Sequence, residues 1–339
     1  AEQDAPLRVG VSGDYPPFSF APEEDPAELQ GFDLAVARAY AAQRYRELEI
    51  VRFRWPELLS DLAADRFDVA MSGITIRPER SLAGVFTVPV VASGAVALVR
   101  EQSGFLDLAS LDQPAARIAV NQGGHLERVA RLHFPRAALM AIPVNQAVRG
   151  ALASAKADAV ITDTLEAPIW LEGSEGVVQL GPFTSDLKAY LVHPDRNELV
   201  ADLDTWLMTR ESDGTLENLR RRDLGHGDSP PTAEPVSALV AAVGERLDLM
   251  PLVAEAKRAT GAPVTVPERE ARVIEAALAA TRKAAREAQL PPFSERRVRR
   301  FFELQITAAK EVQNTTLAGP AGDAPSADLD TALRPALLR

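Results

Sequence analysis

Two hydrophobic periods divide the chain. From residue 7 to about 193, short apolar runs alternate with segments whose apolar positions recur every three to four residues. The short runs fall at 7–11, 50–53, 69–71, 118–120 and 159–162. Such alternation predicts strands and helices in parallel α/β sheets, arranged here as two lobes. The crossings between lobes are expected near 95–100 and 185–192. Helices over 197–210 and 214–222 would pack back on the first lobe. A Gly- and Pro-rich stretch at 226–235 then reads as a linker.

Beyond it the period is helical throughout. The pattern predicts one long helix over 236–260 and a second over 267–289, with Pro267 suited to a first turn. A third is expected over 294–317, with Ser294 as N-cap. The second unit is therefore all-α, and the whole chain is multidomain α/β plus all-α. The Ala/Gly/Pro/Asp-rich end, 318–339, reads as a loosely docked tail.

Composition narrows the chemistry. The 339 residues suffice for two or three domains with sizeable cores. Thirty-seven Lys and Arg against 48 Asp and Glu give a net charge of −11, which argues against a nucleic-acid partner. No run of 18 apolar residues is present, so no membrane-spanning helix is expected. With no cysteine and four histidines there is no disulfide, and neither a metal site nor a cofactor is expected. The chain opens Ala-Glu-Gln-Asp, as a mature exported protein would after removal of a signal peptide, and as a trimmed chain also would.

Candidate chemistry concentrates in Met71-Ser72-Gly73-Ile74-Thr75-Ile76-Arg77-Pro78-Glu79-Arg80. A strand ending in Ser-Gly-x-Thr exposes N–H groups and a hydroxyl at a sheet edge. Arg80, five residues past Thr75, can fork a carboxylate. An ordinary strand-to-helix turn with solvated arginines would use the same residues. In the helical unit Arg246 and Lys257 lie 11 residues apart, about three turns, on one face of the expected long helix. Arg269 sits in the next helix's first turn, and Gln313 lies late in the third with Ile306 and Ala309. Converging cations inside a bundle are costly without an anionic ligand.

Several motifs carry a resemblance. The strand–loop at 9–20 with Tyr15-Pro16-Pro17-Phe18-Ser19, the Gly31-Phe32-Asp33 helix start, and Thr75-x-x-Pro78-Glu79-Arg80 resemble the type II periplasmic solute-binding proteins for polar amino acids, over residues 6 to about 225. Trp55-Pro56-Glu57-Leu58, the run 65–74, Val120-Asn121-Gln122-Gly123-Gly124, Thr162-Asp163-Thr164-Leu165-Glu166-Ala167 and Lys188-Ala189-Tyr190-Leu191 are similar to the exported cyclohexadienyl dehydratases on that fold. That resemblance implies conversion of prephenate to phenylpyruvate, with Glu166 as general acid. Thr75, Arg80, Asn121 and the helix start at Gly124 and His125 would bind carboxylates. Lys188 would pair with a carboxylate or tune Glu166, and Trp55 and Phe18 would face the ring. Asp163 would hold an α-amino group in a transport protein; prephenate has none, so its role stays open, as does use of arogenate.

Residues 235–315 are similar to the all-helical chorismate mutases of the exported subclass, through Glu245-Arg246-Leu247, Ala256-Lys257-Arg258, Pro267-Glu268-Arg269-Glu270 and the run 300–313. That resemblance implies Arg246, Lys257 and Arg269 on the carboxylates and ether oxygen, Gln313 donating to the ether oxygen, and Glu270 near the ring hydroxyl. The chain departs from the family at Ala309, where Ser or Thr is common, and at Val273, where Gln is; Arg300 is a candidate substitute.

Together these imply a two-lobed type II periplasmic-binding-protein fold followed by a helical chorismate mutase bundle. The dehydratase domain would span 1–225, its first lobe about 6–97 with 190–225 and its second 98–189. A linker at 226–235, a mutase domain at 236–317 and a tail at 318–339 would follow. The partners are chorismate and prephenate, with no nucleic acid and no membrane. Self-association would run through the mutase domain and, as a further option, the dehydratase domain, in a periplasmic or secreted location. The rival readings are an amino-acid-binding transport protein fused to a helical module, and a sensor whose helical unit dimerises it.

Overall fold

A computed structural model of the chain describes residues 5–22, 28–226, 228, 230, 235–287, 294–320, 329 and 333. They divide into two compact units, 1–238 and 239–339.

The first unit begins with β1 (Leu7–Val11), β2 (Asp14–Tyr15), β3 (Ser19–Phe20), α1 (Phe32–Gln43), β4 (Leu48–Arg52), α2 (Leu58–Ala63), β5 (Val69–Ala70), α3 (Pro78–Ala83) and β6 (Val85–Phe86). The chain crosses to the second lobe through β7 (Val91–Ser93). That lobe holds β8 (Ala95–Arg100), α4 (Leu108–Leu111), β9 (Arg117–Asn121), α5 (His125–His133), β10 (Ala138–Ile142), α6 (Asn145–Ala153), β11 (Ala159–Asp163), α7 (Ala167–Leu171) and β12 (Val177–Leu180). It returns through β13 (Asp186–Lys188) to β14 (Leu191–Val192), α8 (Asn197–Ser212) and α9 (Thr215–Leu224).

The sheet orders are β4-β1-β5-β14-β6 and β10-β9-β11-β8-β12. Both are mixed rather than purely parallel: β14 runs antiparallel to β5 and β6, and β8 antiparallel to β11 and β12. The reason is topological, because a chain that changes lobes enters the new sheet from the opposite end. The crossing is the two-stranded ribbon β7–β13, where Val91 faces Lys188. The outgoing crossing therefore precedes 95–100, and those residues form a buried strand of the second lobe. Leu203, Trp206, Leu207 and Leu216 from α8 and α9 join Leu7, Val9, Val69 and Tyr40 in the first-lobe core. Each such fully buried aliphatic side chain contributes about 1.5–3 kcal/mol.

The second unit contains α10 (Pro235–Asp248) from Leu239 onward, α11 (Met250–Thr260), α12 (Pro267–Glu287) and α13 (Glu295–Ala318). The expected single helix over 236–260 is broken at Leu249. Pro251 lies in the first turn of α11; it has no N–H to give, and its ring opposes the carbonyl of the preceding turn. The phase linking Arg246 to Lys257 is thus interrupted. Ser294 stands at the N-cap of α13, but its side chain makes no capping bond. Most of the expected linker, 227, 229 and 231–234, lies outside the described residues, as do 288–289 and most of the tail. Leu329 and Leu333, within the tail, are buried.

Candidate functional site

The C-terminal ends of β1, β5, β9 and β11 and the crossing ribbon surround one cleft, where ligands of open α/β sheets bind. It is lined by residues of both lobes. All eight residues expected to bind the dehydratase substrate line it: Trp55, Thr75, Arg80, Asn121, Gly124, His125, Asp163 and Lys188.

Two glycines shape the walls. Gly73 has φ +60°, and a Cβ there would sit 2.7 Å from the Tyr15 ring. Gly123 has φ +74°, and a Cβ would lie 2.5 Å from Pro56 of the opposite lobe. Both need the left-handed region and a bare Cα.

Arg80 is buried in α3 and donates through Nη1 to the Thr75 carbonyl at 2.7 Å. Its guanidinium stands 5.2 Å from the centre of the Trp55 ring. Among the described residues no carboxylate pairs with it. Burial, then the nearby Arg77 charge, pushes its pKa down to about 9. A buried cation without an acid is what an anionic ligand would complete.

Asp163, at the end of β11, is 1% exposed. Oδ1 accepts from the Leu165 and Glu166 N–H groups at 2.9 and 3.0 Å. Oδ2 meets Lys188 Nζ at 3.0 Å and accepts from the Tyr15 hydroxyl. Lys188 also donates to the Tyr15 oxygen at 2.9 Å. Burial raises Asp163, but the Lys188 charge, the Tyr15 hydroxyl and the Leu165 N–H outweigh it and hold the carboxyl below its ordinary value.

Glu166 behaves oppositely. It is fully buried just before α7 and does not itself line the cleft. Oε1 accepts from Asn145 Nδ2 at 2.6 Å and Oε2 from the Thr162 hydroxyl at 2.7 Å. Burial above all, and the Asp163 charge second, push it well above the usual carboxylate range. The shift favours the protonated form of this carboxyl.

On the far wall His125 Nε2 lies 3.0 Å from Asp186 Oδ1. Burial lowers the ring's pKa despite that partner, so it is neutral. Among the described residues four lining atoms have no hydrogen-bond partner: Asp14 Oδ1, Ser93 Oγ, Asn121 Nδ2 and His125 Nδ1. They are free to meet a polar ligand.

Tyr15, Asp14, Ser93, Asn145 and Asp186 were not singled out from the sequence. Tyr15 carried a signal, since it sits in the aromatic loop after β1; the others carried none. Phe18 was expected at the ring but belongs to the first-lobe core, 5.1 Å from Tyr15 and under Lys188 at 5.0 Å.

In the helical unit Lys257 and Gln313 are buried although polar. Lys257 Nζ donates to the Val264 carbonyl at 3.3 Å. Gln313 Nε2 contacts Met250 Sδ at 3.3 Å and the Ala309 carbonyl at 3.2 Å, and its Oε1 has no partner. It is the one residue of α13 that is fully buried. Burial lowers the Arg246 pKa. Arg269 and Glu270 open α12; Glu270 Oε2 pairs with Lys310 at 2.9 Å, and its Oε1 is buried without a partner. Arg300 is exposed and faces Glu303 at 3.7 Å, so it does not substitute inside the bundle.

Residues 7–226 match the bacterial extracellular solute-binding proteins, family 3, and residues 237–314 match chorismate mutase type II. Cyclohexadienyl dehydratase of Pseudomonas aeruginosa is 35% identical over 215 residues, 62% of this chain and 79% of that protein. The arginine-binding protein 1 of an Escherichia coli ABC transporter is 26% identical, over 63% of this chain and 88% of that protein. Among solved structures, an ancestral amino acid-binding protein described as a precursor of cyclohexadienyl dehydratase superposes with a TM-score of 0.61 at 29% identity, covering 65% of this chain and 96% of its own. By these matches the chain belongs to family 3 of the bacterial extracellular solute-binding proteins, with cyclohexadienyl dehydratase among its relatives and a chorismate mutase type II domain at its C-terminal end.

Proposed function

We propose that the chain carries out two consecutive reactions, chorismate to prephenate in the helical unit and prephenate to phenylpyruvate in the two-lobed unit. The observation that carries this reading is that one chain joins a dehydratase relative to a mutase domain, so that one half makes what the other consumes.

In the mutase step a pericyclic rearrangement needs no covalent group. The protein holds a dianion in a reactive conformer and meets negative charge growing on the ether oxygen. Lys257 and Gln313 take that role, supported by their burial as polar side chains inside the helical unit. Arg246 and Arg269 position the carboxylates.

In the dehydratase step the ring C–CO₂ bond breaks and its electron pair moves into the ring as the hydroxyl leaves. One proton is consumed, giving phenylpyruvate, CO₂ and water. Glu166 supplies it, supported by its elevated pKa. Arg80, Asn121 and the start of α5 bind carboxylate. Delivery requires Asn145 to turn aside, because its amide lies between Glu166 and the cleft.

An extracellular location follows the family's description, and export through a removed signal peptide belongs to the same proposal. Copies associate through the helical unit, where Phe301 and Phe302 are half-buried and Leu304 is 52% exposed. Feeding chorismate to the purified chain and following prephenate and phenylpyruvate tests the reading. Transient prephenate followed by phenylpyruvate is expected; binding of amino acids without turnover would return the chain to the transport class.

A further inference from the structure

We infer that His125 takes up a proton when a carboxylate enters the cleft and, as an imidazolium braced by Asp186, helps to hold it. This rests on the prephenate reading above and adds a pH control to the same site.

The tautomer of the empty site follows from its partners. His125 Nε2 lies 3.0 Å from Asp186 Oδ1, and the Thr184 hydroxyl donates to Asp186 Oδ2 at 2.6 Å. Burial raises the Asp186 pKa, but His125, Thr184 and the Lys188 charge outweigh it and hold the carboxyl below its ordinary value. An ionised carboxylate only accepts, so Nε2 carries the proton of the neutral ring. Nδ1 is then a bare lone pair, buried and without a hydrogen-bond partner among the described residues. A lone pair repels an incoming carboxylate, whereas a protonated ring donates to it with charge assistance.

The surrounding charges set the direction. On β13 Asp186 favours a proton on the ring and Lys188 opposes it, as does Arg80 on α3. On α5 itself, Glu127 is engaged by the Gly123 N–H and Arg131, and Arg128 pairs with Glu79. A carboxylate that pairs with Arg80 cancels one opposing charge and adds its own attraction for the proton. The lining as a whole agrees. Asp14, Asp163 and Asp186 stand against Arg80 and Lys188, an excess of acid before any ligand enters. Prephenate brings two further carboxylates, and uncompensated buried anions are costly. Among the lining side chains, His125 is the one whose ordinary pKa lies nearest neutrality.

Calorimetric titration of the full chain with phenylpyruvate, at about pH 7 in buffers of different ionisation enthalpy, counts the protons taken up. Uptake approaching one proton is expected. In the empty cleft the ring titrates below its ordinary value of 6.5. Below that point both states carry the proton and affinity is constant. Above it the dissociation constant should rise by up to about tenfold per pH unit until the bound-state value is passed. KM for prephenate should rise over the same window. The chain has four histidines. The ¹⁵N signals missing in His125→Gln are therefore those of this ring, and they should change from the neutral to the imidazolium pattern on saturation.

His125→Gln keeps a donor for Asp186 but has no proton to gain. It should abolish the uptake, flatten both pH profiles and weaken phenylpyruvate binding about ten- to a hundredfold at low pH, the usual worth of one charged hydrogen bond. Asp186→Asn removes the anion beside the imidazolium. It should move the window to lower pH, and it covers the case in which His125→Gln fails to fold.

Phenylpyruvate binding without proton uptake would overturn the inference and leave the dehydratase reading intact. So would uptake that persists in folded His125→Gln, or uptake that Asp14→Asn alone abolishes, which would put the proton on Asp14. His125-dependent uptake in a wild type that makes no phenylpyruvate from prephenate would fail the dehydratase reading and keep the inference. If phenylpyruvate does not bind, the KM profiles of wild type and His125→Gln decide. A chain that neither binds phenylpyruvate nor turns over prephenate overturns both.

Discussion

Asn145 Nδ2 lies 2.6 Å from Glu166 Oε1, and it is Asn145, not Glu166, that faces the cleft. The carboxyl with the raised pKa is thus stored one side chain behind the wall. This isolation favours its protonated form, since burial is the larger cause of the upward shift and the Asp163 charge the smaller.

Glu166→Gln should keep prephenate binding and lower turnover by about 10²–10⁴, the usual worth of general acid catalysis. Prephenate should then accumulate from chorismate. Wild-type dehydratase activity should fall as pH rises through the elevated Glu166 pKa, because the acid ionises there, and this limb should be missing in the variant. A variant that dehydrates prephenate at wild-type rate would move the acid elsewhere.

Lys257→Ala should reduce chorismate mutase activity by about 10²–10³, as for loss of one donor to developing charge. Dehydratase activity measured on added prephenate should be unchanged. Parallel loss of both rates would contradict separate sites.

Arg80→Met removes a buried cation that has no acid partner among the described residues. KM for prephenate should rise by about ten- to a hundredfold through loss of a charged hydrogen bond. Melting temperature without ligand should not fall, because an uncompensated buried charge is removed. The thermal shift that phenylpyruvate produces in wild type should disappear.

Asp33 is buried at the start of α1 and accepts from the Gly73 N–H at 2.6 Å. Burial raises its pKa from 3.8 to about 7. A raised folded value means the protein is favoured below the unfolded pKa and loses that advantage as pH climbs through the folded one. Wild-type stability should therefore decline between about pH 4 and 7, by up to about 4 kcal/mol at 1.36 kcal/mol per pKa unit. Asp33→Asn should flatten this decline in denaturant titrations. Parallel curves for the two proteins would show that Asp33 does not titrate in that window.

Local pattern carried far into this protein. The apolar runs at 7–11, 118–120 and 159–162 become inner strands because an apolar stretch of three to five residues between helices has few ways to bury itself. The turn residues that follow such strands gather at one edge by the geometry of α/β sheets, so Thr75, Arg80, Asn121, His125 and Asp163 were legible as one site. Tertiary structure decided the rest. The antiparallel strands β8 and β14 arise from the lobe crossings, which no local period encodes. Phe18 and Tyr15 are three residues apart in the same aromatic loop, yet only packing sends one to the core and the other to the cleft. Asn145 lies 21 residues before the carboxyl it covers. Asp163 meets Tyr15 across 148 positions and Lys188 across 25, so its protonation and its saturation depend on long-range contacts that sequence spacing does not contain. The identities of the ionisable groups are local, whereas their pKa values follow from burial and neighbours that only the folded chain supplies.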